Sequence, residues 1–131
     1  MEKAILIFSL FLTFGTPSYA ITMVNKTGLS VDFVVWANVG SDQIQIYDAE
    51  DDILNGKSEQ QPLLSLPPFQ RVKDSLKPVQ IIVAAYNDHV QPYFSAYCNA
   101  FSFTKDTSSP ELQALDNQTI TVYLDHCEEA S

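Results

Sequence analysis

With 131 residues and 16 acidic against 7 basic side chains, the chain carries a formal net charge of −9. A surface of that sign repels phosphate backbones and anionic headgroups, so neither nucleic acid nor a peripheral membrane is expected as a partner. The length suits one hydrophobic core, not two.

The chain opens on an export pattern. Lys3 lies in a short polar start, an apolar run extends from Ala4 to Phe14, and Gly15 to Ala20 closes it with small side chains at Ser18 and Ala20. Cleavage is expected between Ala20 and Ile21, which makes residues 1–20 a signal peptide and residues 21–131 a single β domain. The apolar run is about half the roughly 20 residues a bilayer span requires, and Gly15 and Pro17 break any helical continuation beyond Phe14. No cysteine at the cut offers a lipid acceptor, and no later stretch is apolar for long enough to span. A secreted or periplasmic destination is expected, with no membrane span in the mature chain.

Strand signals dominate beyond the cut. Ile21 to Asn25 and Leu29 to Ala37 flank Lys26, Thr27 and Gly28, a spacing that predicts a hairpin with Gly28 at positive φ. In the second segment Val31, Phe33, Val35 and Ala37 share one face, while Asp32, Val34, Trp36 and Asn38 share the other. Further strands are expected over Gln43 to Tyr47, Phe69 to Lys73, Val79 to Tyr86, Tyr93 to Cys98, Ala100 to Phe103 and Thr119 to Asp125. Prolines 62, 67, 68, 78, 92 and 110 fall at the edges of these runs, because proline cannot donate to a sheet ladder. A short helix is predicted around Asp48 to Leu54, and another from a Ser109 cap to Leu115 with Pro110 in its first turn.

Many short strands and no long amphipathic helix predict an all-β fold, a small antiparallel two-layer β-sandwich, with a small open β-barrel as the alternative. Export places Cys98 and Cys127 where thiols oxidise, so one disulfide between them is expected; two independent buried thiols are the alternative.

Chemistry-bearing motifs are sparse. His89 comes after Asn87 and Asp88 in an expected turn, His126 adjoins Cys127, and no serine occupies a glycine-flanked nucleophile turn. Two histidines and two paired cysteines are too few for a zinc or blue-copper centre, so no catalytic residue, metal or cofactor is assigned. Asp48, Glu50, Asp51 and Asp52 read as a solvated acidic turn, since the glycine-punctuated spacing of a calcium loop is missing. Asn25 to Thr27 and Asn117 to Thr119 match the acceptor pattern for N-linked glycans.

Aromatic residues carry the functional expectation. If Phe94, Ala96 and Cys98 face the core, alternation sends Tyr93, Ser95 and Tyr97 outward, and Trp36 already lies opposite its own strand's apolar face. Trp36, Tyr93 and Tyr97 are therefore candidate ligand-binding residues of a non-enzymatic module that recognises a protein or a glycan. The competing structural account has these rings cover a second small core beneath the region from Asp48 to Leu66. Two other functional readings stand beside the module. One is a protease inhibitor presenting a stiff loop at Leu66, Pro67, Pro68 and Phe69; the other is a small hydrolase using a carboxylate pair or His89.

Overall fold

The computed structural model describes residues 19–49, 51–87 and 93–130. All but the last two residues of the expected export segment, together with Glu50 and His89, lie outside the described residues. In chain order the strands are β1 (Ile21–Lys26), β2 (Asp32–Val39), β3 (Asp42–Asp48), β4 (Ser58–Gln61), β5 (Val79–Asn87), β6 (Phe94–Phe103), β7 (Thr119–Tyr123) and β8 (Cys127–Ala130). Two short helices, α1 (Pro67–Val72) and α2 (Ser109–Leu112), and 3-10 turns at Leu63–Ser65 and Leu115–Asn117 complete the described chain.

These strands form two four-stranded sheets, ordered β4-β1-β7-β8 and β3-β2-β5-β6. The fold is a small β-sandwich. Every pairing is antiparallel except β1 with β7, which run side by side in parallel.

Alternation decides what enters the core. Phe33, Val35 and Ala37 of β2, Ile81, Val83 and Ala85 of β5, and Ile120 and Val122 of β7 are all fully shielded from solvent. Burying a large apolar side chain stabilises by about 1.5–3 kcal/mol, so these inward faces supply most of the driving force. The strand expected from Thr119 to Asp125 stops two residues early: β7 ends at Tyr123, and Leu124 is exposed in the turn to β8.

Three local expectations are corrected. β1 and β2 are not a hairpin, since β1 pairs with β4 and β7 while β2 pairs with β3 and β5. Both strands offer an apolar face to the same core, which requires opposite layers, so the segment between them crosses the sandwich. Gly28 does take positive φ, at 86°, within that crossing. Phe69 to Lys73 is not a strand: Pro67 and Pro68 begin α1, where the missing N–H costs nothing, and Leu66 holds the extended conformation that precedes proline. Phe69 and Val72, three apart, then fall on one buried helical face, with Phe69 against Phe103 at 5.6 Å between ring centroids. No helix forms over Asp48 to Leu54 in the described residues, where Asp48 ends β3 and Ile53 bridges to Val31.

The second predicted helix is present but capped one residue earlier. Ser108 Oγ accepts from the Glu111 N–H, and Glu111 Oε1 accepts from the Ser108 N–H, a reciprocal capping box with Pro110 in the first turn. Tyr93 to Cys98 and Ala100 to Phe103 are one strand, β6, which absorbs an extra residue where its register with β5 shifts.

Both open edges of the sandwich are tied across the layers. On one side the Tyr47 hydroxyl of β3 donates to Glu59 of β4. On the other, Cys98 of β6 is bonded to Cys127 of β8 with Cα atoms 5.9 Å apart, as expected from export chemistry.

Asp116 closes one end of the core. Only 3% exposed, its carboxylate accepts the backbone N–H groups of Leu63 and Leu64, both at 3.1 Å, and so joins the two 3-10 turns. Burial raises its pKa above the ordinary 3.8, against the opposing pull of those two N–H groups. A carboxyl raised on folding contributes fully below 3.8 and loses that contribution as pH rises through its folded value. The stability difference between the wild type and Asp116→Asn should therefore shift toward the variant from acid to neutral pH, as measured by urea unfolding. Asp116→Ala, which orphans both N–H groups, is expected to cost about 2–3 kcal/mol at neutral pH in the same measurement.

Candidate functional site: the outer face of the β3-β2-β5-β6 sheet

Cross-strand register lays out this face in rows. At one end Gln43, Asn38, Gln80 and Ser102 are successive partners across β3, β2, β5 and β6. The next row reads Gln45, Trp36, Ile82 and Asn99, and the third Asp48, Val34, Ala84 and Tyr97. A fourth places Asp32, Tyr86 and Ser95 together.

Rings cluster at the centre. Tyr86 and Tyr97 meet edge to face with centroids 5.8 Å apart, the geometry that sets the positive edge of one ring against the negative face of the other. Burial raises the Tyr86 pKa above the ordinary phenol value, the Tyr97 hydroxyl adds to that rise, and the Trp36 indole N–H opposes it. Beneath them Ala84 is fully shielded and Val34 nearly so, although both point away from the main core. Trp36 and Tyr86 are half-buried, and Tyr97 is 61% exposed.

Of the three candidates read from the sequence, Trp36 and Tyr97 join this cluster. Tyr93 stands apart, 65% exposed, two residues before Ser95 and without a ring contact among the described residues. Sequence reasoning missed Tyr86. Its signal was available, since Gln80, Ile82, Ala84 and Tyr86 alternate with the fully buried Val79, Ile81, Val83 and Ala85.

Two concavities adjoin the face. One, about 340 Å³, is lined by Asn38, Gly40, Pro78, Gln80 and Ser102 at the amide-rich end. The other, about 360 Å³, runs along the β6 edge between Tyr97 and Asn99 on one side and Asp125, His126 and Cys127 on the other. None of the side chains in the four rows is Lys or Arg; Lys77 lies at the sandwich end against Gly40.

The opposite outer face differs in kind. On β4-β1-β7-β8 it carries Gln60, Thr22 and Thr119 in one row, Ser58, Val24, Thr121 and Glu128 in the next, and Lys26 with a single ring, Tyr123, in the third. Aliphatic hydroxyl side chains of this type suit a solvated sheet surface.

His126 sits in an exposed charge cluster. Its Nδ1 lies 2.7 Å from Asp125 Oδ1 and its Nε2 3.2 Å from Glu128 Oε2, while its ring stacks on Tyr123 at 4.5 Å. The hydrogen bond to Asp125, then that to Glu128, raises its pKa above 6.5, which favours the imidazolium. With both nitrogens facing carboxylates, none is left to take a proton from a serine or a water. The pairing is present below pH 6.5 and is lost as pH rises through the folded value.

The remaining sequence motifs resolve as structure. Asp48, Asp51 and Glu59 line one concavity with Tyr47, Ile53 and Ser58, yet no three His, Cys, Asp or Glu among the described residues are placed to hold a metal ion. The Leu66 to Phe69 segment is a helix start with Phe69 buried. Asn25 is completely buried with its amide fully engaged, whereas Asn117 is exposed on a 3-10 turn. No helix of the described residues is long and apolar enough to cross a membrane. Neither a family model, nor a curated protein, nor a solved structure matches this chain.

Proposed function

We propose that this protein is an exported, non-enzymatic binding module whose protein or glycan ligand seats on the outer face of the β3-β2-β5-β6 sheet. The supporting observation is the Trp36, Tyr86 and Tyr97 cluster, left on the outside of a domain whose other outer face is mostly threonine, serine, glutamine and charged side chains, with Tyr123 the one ring in its register rows. Large rings held by each other and by a rigid sheet contribute contact area at little conformational cost, which is what a recognition surface requires. The disulfide is compatible with an extracytoplasmic location, and the signal-peptide pattern supplies the route.

Replacing Trp36, Tyr86 and Tyr97 together with alanine is expected to abolish binding on a combined protein and glycan array while the domain keeps a cooperative melt. Binding retained by a folded triple variant removes this face from consideration. Export is tested separately by the mass of the secreted product, expected to begin at Ile21 with both sulfurs oxidised; a product that starts at Met1 with free thiols contradicts it.

A further inference from the structure

Building on that reading of the face, we infer that its ligand is a neutral oligosaccharide chain. Three properties of the surface lead to this chemistry.

The first is the polar complement around the rings. Gln45 and Asn99 are the end members of the row that holds Trp36 and Ile82, while Asn38, Gln80 and Ser102 continue the face beyond them. Amides and hydroxyls both donate and accept, as a sugar hydroxyl does, whereas Lys and Arg only donate and carboxylates only accept. A ring flanked by amides matches a pyranose, whose C–H face is apolar and whose rim is a circle of hydroxyls.

The second is charge. With no Lys or Arg among the four rows and a chain net charge of −9, the face offers nothing to pair with a uronate, sulfate or phosphate. Asp32 and Asp48 at one corner add to the repulsion.

The third is size. Four rows two residues apart on four strands cover roughly 20 Å by 14 Å, on the order of 300 Å². A stable protein partner needs about 800 Å² from each side. Val34 and Ala84, which would extend the apolar centre, are already buried and offer a partner little further area. The remaining area fits a few sugar units and falls well short of a protein footprint.

The test is affinity gel electrophoresis of the full chain, expressed with its own first twenty residues and recovered with its disulfide intact. Gels contain hydroxyethylcellulose, galactomannan, xylan or laminarin, with alginate as the anionic polymer. At least one neutral polymer should retard the protein and alginate should not. Tyr97→Ala, at an exposed position that folding tolerates, should weaken that retardation about tenfold or more; Trp36→Phe, which keeps a ring, should weaken it less. Retardation by alginate alone, or by none of the neutral polymers, overturns the inference. If no polymer retards the protein but a protein ligand is lost on Tyr97→Ala, the sugar assignment fails while the face stands. If a neutral polymer retards the folded triple alanine variant as strongly as the wild type, the face itself fails.

Discussion

Replacing Cys98 and Cys127 with alanine is expected to destabilise the domain by about 3.5 kcal/mol, from the entropy of closing their loop. The bridge spans 29 residues of sequence and joins an edge strand of one sheet to an edge strand of the other. β8 is a four-residue strand with Glu128, Glu129 and Ala130 exposed, so little apart from its ladder with β7 and the sulfur link holds it in place. Without the link the edge opens, because the matching tie on the far side, between Tyr47 and Glu59, cannot act on β8. For a domain of this size the melting temperature should fall by roughly 10–15 °C. Calorimetry on the double alanine variant, beside wild type held in reductant, measures it. An unchanged melting temperature would mean the loop is already ordered in the unfolded chain.

Asn25→Ala should be comparably severe, at about 3–4 kcal/mol, although it removes only three heavy atoms. The Asn25 amide donates to the Leu29 and Ile53 carbonyls at 2.6 and 2.7 Å, and its Oδ1 accepts from the Thr27 N–H and hydroxyl. Truncation orphans the Thr27 N–H and takes one of two donors from each of the Leu29 and Ile53 carbonyls, around a fully buried side chain where a lost partner costs about 1–3 kcal/mol. The exposed Asn117, which heads the second glycan-acceptor match, provides the contrast, with an expected change within about 0.5 kcal/mol. Urea unfolding of the two alanine variants compares them directly, and equal midpoints would contradict the role given to Asn25.

The sandwich was legible from alternation because each main strand buries one side only, and Phe33, Val35 and Ala37 mark that side plainly. Cys98 and Cys127 were legible from compartment chemistry. Features fixed by distant partners could not be read in the same way. β4, with the sequence Ser-Glu-Gln-Gln, has no apolar alternation and exists because β1 offers it a ladder. The prolines before Phe69 signal a strand edge or a helix start equally well, and only the Phe103 ring decides between them. At the site, Trp36 and Tyr97 followed from strand parity. Their convergence on Tyr86 did not, since it depends on β2, β5 and β6 lying in that order.

The parallel pairing of β1 with β7 carries a consequence for biogenesis. β1 sits inside its sheet, flanked by β4 and by residues 119–123, so one of its two ladders stays unmade until β7 has emerged from the ribosome. Maturation is therefore gated by arrival of β7, and a product truncated before Thr119 retains a naked hydrogen-bonding row at the centre of that layer, open to pairing with other chains.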